Sequence, residues 1–303
     1  MGKTEEEIRG ALEFQIGQFN VESPQELLRV AKIAKSLGVV APVAFRMNPD
    51  VNPQTHPYIR TGFRENKFGM DVSFLPQLEK ILDSHPQALQ LKGLTLHIGS
   101  QIQEMDPFKE SIRKTWPLFL QLKEKYPSLR VFDVGGGLGI DYEKGDLQSE
   151  EQRIRHYGDF LNQFFSGKDD VEVICEPGRI LVGPFGLLVT QVQYIKSTPY
   201  KNFAIVDTGM HHLIRPALYS AFHRIFPLRD LGTKDERDVY DVVGPICESA
   251  DVLGKERVLP LLKQGDYLAI ADVGAYGAVM SMSYNSHQLP KEYVFVNGEV
   301  KKA

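Results

Sequence analysis

A chain of 303 residues, 42% of them hydrophobic, can bury a substantial core as one large domain or two ordinary ones, and a formal net charge of −4 leaves no basic excess for a nucleic-acid backbone. No apolar run approaches the roughly 20 residues that cross a bilayer, and the N-terminal MGKTEEEIRG has no hydrophobic signal core, so a cytoplasmic protein without membrane or nucleic-acid partners is expected. The two cysteines, Cys175 and Cys247, supply neither a disulfide framework nor a four-ligand zinc site.

From residue 13 to about 182, short apolar strands alternate with amphipathic helical stretches. EFQIGQFNVES, VAPVAFRMNP, LKGLTLHIGS, RVFDVGGG and VEVICEPGR read as five strands. PQELLRVAKIAKSLG, DPFKESIRKTWPLFLQLKEKY and SEEQRIRHYGDFLNQFFSG read as helices among them. This rhythm predicts parallel β/α units. The strands end in polar or small residues: Glu22 and Ser23, Asn48, His97 with Ser100, Gly135 to Gly137, and Glu176 to Arg179. Parallel α/β folds gather chemistry at such ends. After Val182 the helical period fades, and LLVTQVQYIKS, NFAIVDTG, RDVYDVVGP, GDYLAIADVG and EYVFVNGEV predict an antiparallel β-domain beginning near residues 184–188.

The triplet Gly135-Gly136-Gly137 is either a tight turn or a place where backbone N–H groups approach a phosphate without a Cβ in the way. GGGLGID lacks the glycine order of a dinucleotide fingerprint. In CEPGR a carboxylate and a guanidinium share the next strand end, either as a salt-bridged surface turn or, for Glu176, as a group able to keep a pyridine nitrogen protonated. His97 could stack on a planar ring and Ser100 could donate to a phosphate, although a structural role is the more frequent fate of a lone histidine. In the second half, DTGMHHLIRPALY, GPICESADVLGK and DVGAYGAVMSMSYN read as loops. His211 and His212 are neighbours in an extended or loop segment, should point apart, and have no third ligand cluster, so no metal is expected.

Taken in order, HIGSQI, DVGGGLGIDY, EPGR, DTGMHHLIRPALY, GPICESADVL and GAYG resemble the fold-type-III pyridoxal-phosphate-dependent decarboxylases, most closely the diaminopimelate decarboxylase family. RMNPDVNPQTHPYIRTGFRENKFGM is similar to that family too. The resemblance implies a (β/α)8 barrel of the TIM-like, alanine-racemase type followed by a β-domain, with the boundary here at residues 185/186, and a homodimer whose active sites are shared between subunits. It implies pyridoxal 5'-phosphate as cofactor, with Gly135, Gly136, Gly137, Ser100, Pro177, Gly178, Arg179 and Tyr276 around its phosphate, Glu176 at its ring nitrogen and His97 stacked on the ring. Arg179, Arg215, Tyr219, Glu248 and Tyr276 would bind the amino-acid substrate, and Cys247 would be the proton donor, where a free cysteine is otherwise a small buried hydrophobe. Arginine forks for a distal carboxylate and an acid for a distal ammonium suit a substrate with two amino-acid heads. The implied reaction converts meso-2,6-diaminopimelate to L-lysine and carbon dioxide. A related decarboxylase of another diamino or carboxy-polyamine substrate, or a non-catalytic regulatory subunit of an intact decarboxylase, are the alternatives.

Two departures stand out. The family carries its cofactor on a lysine of the first barrel strand, in a Tyr-Ala-x-Lys-Ala type segment that this sequence does not contain. The pattern holds five barrel strands, so three β/α units and the final C-terminal segment are expected to be missing, as in a truncated copy or in a short protein that has lost catalysis, the former being preferred. His287 also stands where the family has an arginine after Asn-Ser.

Overall fold

The computed structural model describes residues 1–51, 67–229 and 236–303. Residues 52–66 of the RMNPD…KFGM segment lie outside the described residues. The chain divides into two compact units: residues 1–139 with 148–178, and residues 140–147 with 179–303.

The first unit runs α1 (Glu5–Glu13), β1 (Phe19–Val21), α2 (Pro24–Leu37), β2 (Ala41–Arg46), α3 (Leu75–Ser84), β3 (Leu89–Thr95), α4 (Asp106–Lys125), β4 (Val131–Asp133), α5 (Leu147–Phe165) and β5 (Glu172–Ile174). Its five strands form one sheet in the order β1-β2-β3-β4-β5, every pairing parallel, as the alternating pattern predicts for part of a barrel. Local chemistry accounts for the boundaries. Ser23 caps α2 by accepting the Glu26 N–H at 3.1 Å, Pro24 opens the helix, and Gly38 closes it with φ of 69°. Between them Leu27, Val30, Ala31 and Ala34 repeat at helical spacing and are buried. Ser23 is therefore a structural cap. The strand expected across EFQIGQFNVES shrinks to Phe19–Val21, because Thr4 and Glu7 form a capping box that starts a helix reaching Glu13. Trp116 and Phe119 of α4, Phe132 of β4 and Phe164 and Phe165 of α5 pack as one aromatic cluster with centroids 5.0–5.7 Å apart.

The second unit holds α6 (Arg179–Val182), β6 (Leu187–Ser197), β7 (Asn202–Val206), α7 (Arg215–Tyr219), β8 (Ile225–Pro227), β9 (Arg237–Val243), β10 (Val252–Pro260), β11 (Tyr267–Ala271), β12 (Tyr293–Val296) and β13 (Glu299–Lys302). Six strands form a sheet in the order β10-β9-β7-β6-β11-β8 over a core that includes Val192, Val206, Tyr240, Val242, Leu268 and Ile270. The sheet is not wholly antiparallel: β7 and β9 run parallel. The chain between them is long enough for the crossover that a parallel pair needs. Two further expectations are corrected. Val252–Pro260, read partly as loop, is a strand, and EYVFVNGEV is a hairpin, since Asn297 and Gly298 adopt φ of 52° and 83°. No helix among the described residues is long and apolar enough to cross a membrane.

Candidate active site

In the first unit, β3, β4 and β5 end side by side. Buried Asp133, the last residue of β4, accepts the Gly135 N–H at 2.9 Å, which turns the chain out of the strand. A Cβ on Gly135 would lie 2.1 Å from the Leu96 carbonyl oxygen, one on Gly136 2.1 Å from that of Glu176, and one on Gly137 2.2 Å from that of Gly99. The neighbouring strand ends therefore demand the triplet by backbone packing, a reason distinct from either reading of the sequence. The Gly135 N–H is engaged by Asp133, and the Gly136 N–H donates to His97 Nδ1 at 3.3 Å. Among the described residues the Gly137 and Gly178 N–H groups have no partner, and the Cβ position of Gly178 opens on free space.

Because His97 Nδ1 accepts, its proton sits on Nε2 and the ring is neutral. Burial, reinforced by the Arg46 charge, pushes its pKa down to about 4. Glu176 follows Gly135 across the strand ends, its N–H donating to the Gly135 carbonyl at 2.9 Å. The Asn20 amide donates to the Asp133 and Glu176 carboxyls, each at 3.4 Å, which brings the two acids to one donor. Partial burial of the carboxyl, then the Asp133 charge and hydrogen bond, raise the Glu176 pKa to about 7. Two neighbouring carboxyls, of which Glu176 is pushed toward its neutral form, make a site that a cation would complete. A protonated pyridine nitrogen supplies that cation, a flat neutral imidazole suits a ring face, and open N–H groups suit a phosphate, so these residues fit pyridoxal phosphate. Ser100 is half-buried in the turn after β3, and Pro177 is exposed beside Gly178.

In the second unit, Arg179 opens α6 and Arg215 opens α7, both buried. Tyr142 gathers them. Arg179 Nη1 donates to its hydroxyl at 2.5 Å, and the Arg215 guanidinium lies 4.5 Å from its ring centroid. Arg179 also stacks 4.7 Å from the Tyr276 centroid. Tyr276 sits between close-packed glycines at φ of 58°, a strained value for an aromatic residue. Arg215 Nη1 is 2.6 Å from His223 Nε2, its Nε is buried without a hydrogen-bond partner, and no acidic side chain pairs with it among the described residues. Tyr219 lies one turn on from Arg215 in the same short helix.

Cys247 and Glu248 are both exposed, and the Tyr284 hydroxyl donates to the Glu248 carboxylate. The two neighbouring histidines do not point apart as expected. They lie in a turn closed by the His212 N–H on the Gly209 carbonyl, and their ring centroids are 3.7 Å apart, with His287 4.6 Å from His211 on another side. His287 therefore packs on an imidazole. Among the described residues no cluster of three or more His, Cys, Asp or Glu side chains could hold a metal.

A family model for the pyridoxal-binding domain of pyridoxal-dependent decarboxylases matches residues 1–183. The diaminopimelate decarboxylase of Haemophilus influenzae is 43% identical over 302 residues, covering 99% of this chain and 70% of that protein. This chain belongs to the diaminopimelate decarboxylase family. The Vibrio cholerae diaminopimelate decarboxylase is 44% identical over 298 residues, 98% of this chain and 69% of its own length. The crystal structure of the Helicobacter pylori diaminopimelate decarboxylase complexed with L-lysine superposes with a TM-score of 0.90 at 38% identity, covering 100% of this chain and 73% of that one. Membership bears out the resemblance, the barrel-plus-β-domain fold and the pyridoxal phosphate dependence of the family. Sequence reasoning passed over Asn20, Asp133, Tyr142 and His223. Asn20 carried a usable signal, a polar residue between buried Phe19 and Val21 of a short strand. Tyr142 and His223 carried none, since only folding brings them to the arginines.

Proposed function

We propose that this chain takes part in the pyridoxal-phosphate-dependent decarboxylation of meso-2,6-diaminopimelate to L-lysine and carbon dioxide. The observation that carries the substrate reading is Arg215: a buried guanidinium with an unpartnered Nε and no acidic partner among the described residues is a receptor for an anion the protein itself does not provide. Bound pyridoxal phosphate supplies the electron sink for the electron pair left when carbon dioxide departs. Glu176 would keep its ring nitrogen protonated, His97 would lie against the ring, and the Gly137 and Gly178 N–H groups with Ser100 and Pro177 would hold the phosphate, a role the family resemblance gives to Arg179 and Tyr276 as well. Arg215, Arg179 and Tyr219 hold the carboxylate of the head that does not react, and Glu248, oriented by Tyr284, accepts its ammonium. Cys247 returns a proton to the carbon that lost its carboxyl group. The protein acts as a homodimer, for which the exposed Phe185, Leu187 and Val189 offer apolar surface.

The test is lysine and carbon dioxide formation from diaminopimelate, compared with ornithine and arginine, on the cofactor-saturated protein. Preference for diaminopimelate, lost in Arg215→Gln through a KM increase of about tenfold or more, is expected. Equal or better turnover of ornithine, or an unchanged KM in Arg215→Gln, would refute the substrate assignment.

A further inference from the structure

The reading of Arg215 as a carboxylate receptor leaves open what aims it, and two residues without an assigned role stand against it. His223 is fully buried, and its Nδ1 lies 2.8 Å from the Ala271 carbonyl. A carbonyl only accepts, so Nδ1 carries the proton and Nε2 presents a lone pair. An arginine has no lone pair to offer, so the 2.6 Å contact is an Arg215 Nη1–H donating to His223 Nε2. The backbone of β11 thereby sets the tautomer of His223, and His223 occupies one edge of the guanidinium. Tyr142 occupies a face, 4.5 Å from the guanidinium carbon, and meets the His223 ring edge-on at 5.0 Å. Through its hydroxyl it also holds Arg179, so two like charges are kept together on one aromatic ring. What remains of Arg215 is the edge formed by Nε and Nη2, whose Nε is buried and unpartnered. That edge has the geometry for a two-point grip on a carboxylate.

We propose that His223 and Tyr142 are positioning residues that present the Nε–Nη2 edge of Arg215 to the substrate carboxylate that survives the reaction. This inference rests on the substrate reading given above. Decarboxylation removes one carboxyl group, so L-lysine retains the head that Arg215 grips, and 1,5-diaminopentane is the same molecule without it.

Calorimetric binding of both compounds to the cofactor-saturated chain, in the parent, Arg215→Gln, His223→Leu, His223→Gln and Tyr142→Leu, separates the possibilities. His223→Leu should weaken L-lysine by about tenfold or more, the loss expected for one hydrogen bond to a charged group, and Tyr142→Leu by about fivefold or more, the loss expected for one cation–π contact, with diaminopentane affinity unchanged within about twofold. His223→Gln, which keeps an acceptor near Nε2, should restore most of the lysine affinity. If Arg215→Gln loses lysine while His223→Leu and Tyr142→Leu bind it as the parent does, the positioning role is overturned and the receptor stands. Loss of both ligands together, or no rescue by His223→Gln, also overturns it, since a general packing defect would do the same. A parent that binds the two compounds alike, or an Arg215→Gln chain that binds lysine as tightly as the parent does, sinks the receptor reading itself.

Discussion

Glu176 shows how one side chain can be defined by what it lacks. Desolvation of its carboxyl and the neighbouring Asp133 charge make its ionised form costly, which raises its pKa to about 7. A cation at the same place reverses this balance and makes the carboxylate the favoured form. Replacing Glu176 with Gln removes the counter-charge without changing shape, so pyridoxal phosphate affinity, followed by absorbance titration, should fall by about tenfold or more. The same substitution should raise the thermal midpoint of the cofactor-free chain at pH 8, where the parent must ionise Glu176 beside Asp133, and leave it unchanged at pH 5. A cofactor affinity insensitive to the substitution would show that Glu176 does not face the ring nitrogen.

At the scale of elements, the ends of β3, β4 and β5 matter more than their lengths. β4 and β5 have three residues each, yet their ends pack so closely that Gly136 has the Glu176 carbonyl where its Cβ would be. Gly136→Ala needs no forbidden φ but forces the two strand ends apart, with an expected destabilisation of about 1–3 kcal/mol measured by urea unfolding. Cofactor binding should suffer with it, because His97 hydrogen-bonds the same residue. A stable Gly136→Ala chain with normal cofactor affinity would mean that the strand ends tolerate separation. Elsewhere, elements formed where local chemistry was complete, as in α2 with its serine cap, its initial proline and its terminal glycine. β10 escaped notice because its first residues, read as part of a loop motif, acquire their partner only by pairing with β9.

For the whole molecule, opposing titrations set the pH of greatest stability. His97, His211 and His223 are each held down to about 4, by burial first and then by Arg46, by the other histidines and by Arg215 respectively. A histidine whose folded pKa lies below its ordinary 6.5 stabilises the native state fully above pH 6.5 and loses that contribution as pH falls toward 4. Glu176, raised from 4.5 to about 7, has the opposite sign: its contribution is whole below pH 4.5 and is lost as pH rises through 7. Asp251 and Asp272, raised by burial, act with Glu176. The three imidazoles and the lowered carboxyls of Glu7, Glu22, Asp83, Asp170 and Asp241 all lose their contribution toward acid pH, which leaves a net loss on that side. The urea midpoint of the cofactor-free chain should fall between pH 6.5 and pH 4, and a rising midpoint across that interval would contradict the buried neutral state of these histidines.

The sequence by itself determined the alternation of five parallel strands with helices, the change to a β-rich second half, and the family, because periodicity, caps and glycine-rich motifs are local and survive in one dimension. It also placed Glu176, His97, Arg179 and Arg215 among the candidates, since charged and ring side chains at strand ends and in loops are conspicuous. Only the tertiary structure decided why the triplet must be glycine, why Glu176 holds its proton, and that His223 and Tyr142 stand against Arg215. Those facts depend on carbonyls, carboxyls and rings from segments far apart in the chain arriving within hydrogen-bonding distance, and no spacing along the chain encodes that approach.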